Sequence, residues 1–347
     1  MGIKRRERKK TVLFLTGTRA DFGKLKPLIE VVDESNKFEY EIFATGMHCL
    51  SRYGYTLDEI RKSGFKNIYS YMNQTMNEPM DMILANTIQG LSRYVSENRP
   101  DLIVVHGDRV EALAGAVTGS LNNILVAHIE GGEFSGTIDE SIRHTVTKMS
   151  HAHFVANEEA ANIVRQMGEQ NVFVIGSPDI DVMLSDKLPS LLDAKERYDI
   201  LFDKYAIALY HPVTTEDMEQ QAKEFVDDLI GSGDNYVVVY PNNDLGSEYI
   251  FKEYKRLTGN KFKIYPSIRF EYFLTLLKNA QYIIGNSSAG IREAPVYGVP
   301  TINIGTRQQN RNHLTENFGN GDSAKRFMSI LDSKQFWQIP VQKEFVQ

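Results

Sequence analysis

Two His, four carboxylates, one Arg and three Gly fall within the seventeen residues from His128 to His144, "HIEGGEFSGTIDESIRH", directly after the apolar run "ILVA". Such a stretch cannot be a buried strand or an ordinary amphipathic helix, because each ionisable group taken out of water needs a partner. Proton transfer is the chemistry that these residue types support, and Glu130, Glu133 and Asp139 are the candidate carriers. Arg143 stands one helical turn after Asp139, while Gly131, Gly132 and Gly136 let the backbone bend around a ligand. Helix capping by Thr137 or Asp139 explains part of the pattern, and leaves Glu133 and Glu140 with structural roles. Capping does not account for Glu130.

Other polar motifs follow apolar runs in the same manner. "TGTRADFGKLKP" places glycine turns, Arg19 and Lys24 before a helix, where backbone N–H groups can accept phosphate oxygens. The dinucleotide fingerprint and the Walker A pattern are both absent, which argues against a nicotinamide or P-loop site. "HGDRVEALAGA" puts Asp108 and Arg109 at a turn before a small-residue helix; an Asp beside an Arg stays ionised, and Asp108 can equally cap that helix. In "IIGNSSAGIREAPVYGVPTINIGTR", Ser287 and Ser288 are expected at the positive end of a helix, a diphosphate site, with Glu293 further along it for ribose hydroxyls and Arg307 as a second cation. Among the eight His, clustering beside Asp and Arg favours functional roles for His48, His106 and His211.

These motifs need a scaffold. "TVLFLTG", "YEIFATG", "DLIVVHGD", "NILVAHIEGG", "HAHFVAN" and "NVFVIGSP" read as strands, separated by helical stretches such as "MDMILANTIQGLSRYVSE". Continuous rather than alternating apolar strands between helices indicate parallel sheets covered on both faces. The pattern restarts at "YAIALYHP" after a polar stretch and continues through "NYVVVYPNN", "FKIYPS", "AQYIIGNSS" and "VPTINIGTR". An α/β fold of two Rossmann-like domains with a central cleft is therefore expected, with ligands beyond the carboxyl ends of the strands. The boundaries read as a basic tail (1–9), an N-terminal domain carrying the acid/base residues (10–181), a linker (182–204), a C-terminal Rossmann-like domain carrying the diphosphate site (205–327) and a terminal segment (328–347).

Composition narrows the function classes. With 347 residues, a net charge of -6, 42% hydrophobic and 24% charged residues, the chain is an ordinary globular protein without a basic nucleic-acid footprint. Its one cysteine excludes an internal disulfide and a multi-cysteine metal site, which fits the cytoplasm. The basic start runs into an apolar stretch too short for a signal or a membrane span. Neither a membrane nor a nucleic-acid partner is expected.

Taken together, "TGTRADFGKL", "HGDR", "HIEGGEFSGTIDESIRH", "HPVTTE", "PNNDLGS" and "IGNSSAGIREAPVYGVPTINIGTRQ" closely resemble the hydrolysing UDP-N-acetylglucosamine 2-epimerases, in order, from about Lys10 to Arg311. Non-hydrolysing relatives show "GTRPE" and "HVEAGLR" followed by "PEEINR", and this chain departs from them at those points. The resemblance implies a glycosyltransferase-B-like fold, no cofactor and no metal, and a homodimer or homotetramer. It implies elimination of UDP from UDP-N-acetylglucosamine (UDP-GlcNAc) through a 2-acetamidoglucal, then hydration to N-acetylmannosamine, a precursor for sialic-acid-type synthesis. UDP-N,N'-diacetylbacillosamine is the alternative substrate, and a nucleotide-sugar-binding regulator without turnover is the alternative of another class.

By motif match, Asp108, Glu130 and Asp139 form the acid/base set, with Arg143 and His211 near the diphosphate and sugar. The same match puts Arg19, Ser287, Ser288 and Arg307 at the diphosphate and Glu293 at the ribose. It puts Asn242 and the segment around Tyr265 at the uridine, and Lys24, His48 and Arg109 near the sugar or the closing cleft. Between "GTRQQNRNH" and "FGNGDSAKRFMSIL" the chain is shorter than the family pattern, which carries a strand and a helix there.

Overall fold

The computed structural model describes residues 8–134, 137–308 and 318–344. Strands β1 (Lys10–Thr16), β2 (Phe38–Ala44), β3 (Ile68–Ser70), β4 (Leu102–His106), β5 (Leu125–Ile129), β6 (Ala152–Val155) and β7 (Val172–Val174) form one sheet in the order β3-β2-β1-β4-β5-β6-β7. A second sheet holds β8 (Ala206–Leu209), β9 (Tyr236–Val239), β10 (Phe262–Tyr265), β11 (Ile283–Gly285) and β12 (Thr301–Asn303) in the order β10-β9-β8-β11-β12. Every pairing is parallel. The short edge strand β3 carries no signal among the apolar runs of the sequence.

Around the first sheet lie α1 (Arg19–Asp33), α2 (Leu57–Lys62), α3 (Met80–Asn98), α4 (Val110–Leu121), α5 (Ile138–Met149) and α6 (Glu158–Gln166). The chain then passes through α7 (Pro178–Met183) and α8 (Leu191–Arg197) to the second sheet, covered by α9 (Met218–Ser232), α10 (Ser247–Tyr254), α11 (Phe270–Lys278) and α12 (Glu293–Val296). It ends on α13 (Ser323–Leu331). Among the described residues no helix is long and apolar enough to cross a membrane.

The central strands are buried on both faces, as their unbroken apolar runs demand: Val12, Leu13, Phe14, Ile103, Val104 and Val126 have no exposed surface. Helix α4 reaches close to the sheet because its small residues leave room. A Cβ on Gly115 would stand 2.5 Å from Val105 Cγ1 and 2.7 Å from Leu15 Cδ2. Residues expected as a linker are instead packed against the second sheet, with Met183, Ala194, Ile200 and Phe202 in its core, joined by Ile180 from the end of the expected N-terminal domain.

The terminal segment returns to the first domain. Phe327, Leu331 and Phe336 join Phe14 and Phe154 in the N-terminal core, and the Trp337 ring stacks on Phe38 at 5.7 Å. Removing a fully buried Phe side chain such as Phe327 costs about 3–5 kcal/mol. The outward and returning passages lie side by side. Ser177 N–H donates to Phe318 O at 2.6 Å, and a Cβ on Gly319 would meet the Gly176 Cα at 2.9 Å. The Asp181 carboxylate accepts from Ser323 N–H (3.0 Å) and Ala324 N–H (2.9 Å), closing the start of α13.

In each sheet the strand order reverses beside a central strand, between β1 and β4 and between β8 and β11. The loops leaving those four strands part to opposite sides, so a crevice opens at their carboxyl ends.

Candidate active site

A cleft of about 310 Å³ occupies that crevice, lined from one side by Arg19, Lys24, His106, Asp108, Arg109 and Asp139. Across it stand His211, Asn242, Ser287, Ser288, Glu293 and Arg307, together with Pro266–Ser267–Ile268. A volume of this size suits one small ligand group at a time or an extended nucleotide that reaches out of the cleft.

The turn after β1 is tied by a capping box. Thr18 accepts from Asp21 N–H (3.2 Å), and the Asp21 carboxylate accepts from Gly17 N–H (2.9 Å) and Thr18 N–H (3.2 Å). Arg19 begins the helix, with its Nε and Nη1 buried and lacking any hydrogen-bond partner among the described residues. Burial pushes this guanidinium below its ordinary pKa, with Arg197 and Arg269 adding to the effect against Tyr198 and Glu59. A bound anion relieves such a cation.

The turn after β4 is set from beneath. His128 is fully buried and neutral, its pKa lowered to about 3 by burial; its Nε2–H donates to Gly107 O (2.8 Å), and its Nδ1 accepts from the Thr147 hydroxyl (3.1 Å). Gly107 takes φ +73°, which sends Asp108 and Arg109 into the cleft. Arg143 Nη2 donates to Asp108, giving this carboxylate a buried cation. Arg109 bridges to the second domain through Asn243 Oδ1 (2.9 Å) and Asp244 Oδ1 (3.5 Å).

Helix α5 presents the next carboxylate. Thr137 caps it by accepting from Asp139 N–H (3.3 Å), so the Asp139 carboxylate is free to face the cleft, 3.5 Å from Arg307 Nη2. Burial pushes the Asp139 carboxyl up, and Asp108 and Asp244 push it further, against Arg307 and Arg109. Across the cleft, His211 is held well below its ordinary pKa by burial and by Arg307 and Arg109, so its imidazole is neutral. Asn242 N–H donates to His211 Nδ1 at 3.0 Å, which leaves the ring proton on Nε2. Asn286 clamps the same residue, accepting from His211 N–H (2.6 Å) and donating to His211 O (2.8 Å).

Below the first-domain wall lies a buried ionic network. Glu130 has φ +62°, a left-handed backbone that a non-glycine residue adopts only under constraint, and Arg143 Nη1 fixes it by donating to Glu130 O at 2.5 Å. Its carboxylate accepts from Ser177 Oγ and pairs with Arg292 Nη2 (2.8 Å), His106 Nε2 (2.9 Å) and Lys24 Nζ (3.5 Å). Burial alone would raise the Glu130 carboxyl, but Arg292, Lys24 and His106 hold it well below the ordinary range. Among the described residues, no three His, Cys, Asp or Glu side chains are arranged to hold a metal ion.

Comparison with known proteins identifies the scaffold. The UDP-N-acetylglucosamine 2-epimerase family model matches residues 30–328. A UDP-N-acetylglucosamine 2-epimerase of Neisseria meningitidis serogroup B is 45% identical, covering 97% of this chain and 99% of its own. The chain belongs to the UDP-N-acetylglucosamine 2-epimerase family. The hydrolyzing UDP-N,N'-diacetylbacillosamine 2-epimerase of Legionella pneumophila is 30% identical over 86% of this chain and 82% of its own. The crystal structure of the Methanocaldococcus jannaschii UDP-GlcNAc 2-epimerase in complex with UDP-GlcNAc and UDP shares the fold, with a TM-score of 0.75 at 21% identity over 93% of this chain and 99% of that one. The two Rossmann-like domains are thus glycosyltransferase-B-like. Alignment to the Neisseria protein runs over 372 positions, more than the 347 residues of this chain, so that relative carries residues absent here.

Most residues chosen from the family motifs do meet in the cleft; four do not. His48 is fully buried below the floor between Thr16 Oγ1 (3.0 Å) and Thr56 Oγ1 (2.6 Å), with burial and then Arg19 lowering its pKa to about 3. Replacing His48 with Ala is expected to cost about 1–3 kcal/mol in denaturant unfolding, by taking the partner from the buried Thr56 hydroxyl while Thr16 keeps Asp21, without changing UDP affinity. Tyr265 turns away and donates its hydroxyl to Tyr198 O, so the following residues line the cleft in its place. Arg143 and Glu130 lie under the wall rather than facing a ligand, because each is consumed by buried partners.

The helix expected from Ser287 through Glu293 is also broken. A single 3-10 turn (Ser288–Gly290) ends before the four-residue α12, in which Pro295 cannot donate a backbone hydrogen bond. So short a helix contributes little dipole, and anion binding there rests on the serine hydroxyls and on Arg19 and Arg307. Arg292, Ser177, Asp179 and Asn286 escape the motif reading, although Arg292, Ser177 and Asn286 stand inside stretches quoted above. A charge between Ile and Glu in "AGIREAP" was the available signal. Gly136 lies outside the described residues, as do residues 1–7, Arg311 and His313.

Proposed function

We infer that the protein is a hydrolysing UDP-N-acetylglucosamine 2-epimerase, releasing UDP and N-acetylmannosamine. The observation that carries this reading is the facing of Asp108, Asp139 and Arg19 against Ser287, Ser288 and Arg307 across one cleft. A carbon-bound proton needs a fixed base, and a departing diphosphate needs cations to absorb its charge. The "GGEFSGTIDESIRH" insert and the hydrolyzing Legionella relative support the hydrolytic outcome.

In the first step the Asp108 carboxylate takes the proton from carbon 2. The C–H pair becomes the carbon 1–carbon 2 double bond, and the carbon 1–oxygen pair leaves with UDP, whose charge falls on Arg19, Arg307 and the serine hydroxyls. His211, with its proton on Nε2, supplies a neutral donor beside the diphosphate. In the second step water adds across the double bond: its hydroxyl bonds to carbon 1 while carbon 2 takes a proton from Asp139 on the opposite face, the water's own proton restores Asp139, and Asp108 passes the proton it took in the first step to solvent. Asp139 is the donor, since its surroundings favour the protonated form while Asp108 is paired with Arg143.

Because Asp139 acts while protonated, turnover is present below its pKa and lost as pH rises through it. The alkaline decline of kcat is expected above the ordinary carboxylate range, and Arg307→Gln is expected to move it higher still, since Arg307 opposes the upward shift. A decline that moves to lower pH in that variant contradicts the assignment. Substrate identity is tested by incubating the protein with UDP-GlcNAc and with UDP-N,N'-diacetylbacillosamine and identifying the sugar released. Release from the second alone transfers the reading to the bacillosamine enzyme, and release from neither leaves the nucleotide-sugar-binding regulator. We also read the protein as a cytoplasmic homodimer or homotetramer serving sialic-acid-type synthesis.

A further inference from the structure

We propose that Arg292 is a positioning residue that locks the proton-carrying segment of the first domain to the nucleotide-side turn of the second, so that occupancy of the diphosphate site sets the geometry around Asp108 and Asp139. The proposal rests on the functional reading above for its effect on turnover, and on geometry alone for its effect on coupling.

Arg292 comes four residues after Ser288 and immediately before Glu293, both of which line the cleft, yet its own side chain does not line it. It turns instead into the first domain. Nη1 meets Glu133 Oε2 at 2.6 Å, and Nη2 meets Glu130 Oε1 at 2.8 Å, Ser177 Oγ at 2.7 Å and Asp179 Oδ2 at 3.3 Å. The guanidinium also lies 4.9 Å from the Phe318 ring on the returning passage. One fork thus joins the start of the catalytic insert, the outward passage and the returning passage.

Few cations could replace it. Lys24 lies 3.1 Å from Asp179 and 3.5 Å from Glu130, Arg143 lies 3.9 Å from Glu133, and His106 reaches Glu130 alone. Removing Arg292 leaves three buried carboxylates, with Glu293 nearby, facing Lys24, Arg143 and His106. Such a set relaxes by moving apart or by taking up protons. The Glu130 carbonyl would then release Arg143, which holds Asp108. A lysine supplies charge but not the two-pronged geometry.

The test compares wild type with Arg292→Gln and Arg292→Lys. For Gln, kcat for UDP release is expected to fall about 100-fold, the loss typical of a misplaced reacting group. UDP dissociation constants are expected to change less than about threefold. The acid limb of kcat is expected to move to higher pH, because Glu130 loses Arg292 and keeps only Lys24, His106 and Ser177 against the neighbouring Asp179. Lys is expected to recover part of kcat. In hydrogen exchange, UDP is expected to slow the amides of 130–134 and 137–143 in wild type and to lose that effect in Gln while still protecting 285–293. Equal protection in both proteins, an unchanged kcat, or a loss of UDP affinity as large as the loss of kcat each overturns the proposal. If Gln fails to fold, Arg292→Lys and Glu133→Gln decide it by the same readouts. A wild type that turns over neither nucleotide sugar refutes the functional reading, and the exchange comparison still decides the coupling.

Discussion

Asp108→Asn is expected to lower UDP release by about a thousandfold, within the range for losing a positioned general base, while UDP binding stays close to wild type. Asp108 lines the cleft from the turn after β4, across from Ser287, Ser288 and Arg307, the groups assigned to the diphosphate. An amide preserves the shape of the side chain and removes its ability to accept a proton. The exchange also removes the charge that Arg143 Nη2 meets, which adds to the loss. Initial rates of UDP release and calorimetric UDP titration measure the two quantities separately. Release within about tenfold of wild type would remove Asp108 from the proton-transfer step, a difference of ~1.4 kcal/mol being too small for a lost base. Glu130→Gln gives a useful contrast, since its effect must travel through His106, Lys24 and Arg292.

The second large effect is structural. Gly285→Ala is expected to destabilise the protein by about 4 kcal/mol, in the rare upper range for single substitutions. Gly285 ends β11 with φ +140°, a conformation that L side chains rarely adopt, and a Cβ there would lie 2.0 Å from Leu209 O. The clash is with backbone, so no rotamer change relieves it. β11 must draw away from β8, which breaks the Gly285–Leu209 register and pulls Asn286 from its two hydrogen bonds to His211. Denaturant unfolding should show the loss of stability, and UDP affinity should fall with it. A variant within about 1 kcal/mol of wild type would mean that the strand ends tolerate separation.

Much of this architecture was legible in the chain. Parallel strands announce themselves as unbroken apolar runs, and β1, β2, β4, β5 and β8 appear where "TVLFL", "YEIFA", "LIVVH", "LVAHI" and "AIAL" predict them. Strand-end motifs could be found because parallel sheets deliver their functional groups at one end. What stayed hidden was depth. Glu130, Arg143 and His48 have the residue types and neighbours of cleft residues, and nothing in one-dimensional spacing says that Glu130 is held beneath the wall by Ser177 and Arg292, or Arg143 by Asp108 and the Glu130 carbonyl. His48 is expected near the sugar or the closing cleft, yet Thr16 at the end of β1 and Thr56 eight residues further on enclose it. The Ser287 helix was misread for a local reason, since Pro295 could have warned that "SSAGIREAP" does not run as one helix.

The paired passages at Gly176 and Gly319 have a mechanical consequence. A single connecting strand would leave one domain free to swing and twist about the other. Two strands joined by the Ser177 to Phe318 hydrogen bond, and tied again through Asp181 to the start of α13, act as the two leaves of one hinge. Rotation about their common line remains open, while twist and lateral slip are opposed. The cleft therefore has one principal coordinate along which to open and close. A bulky residue at either glycine would wedge the leaves apart and bias that coordinate at its origin, some distance from every group that touches the ligand.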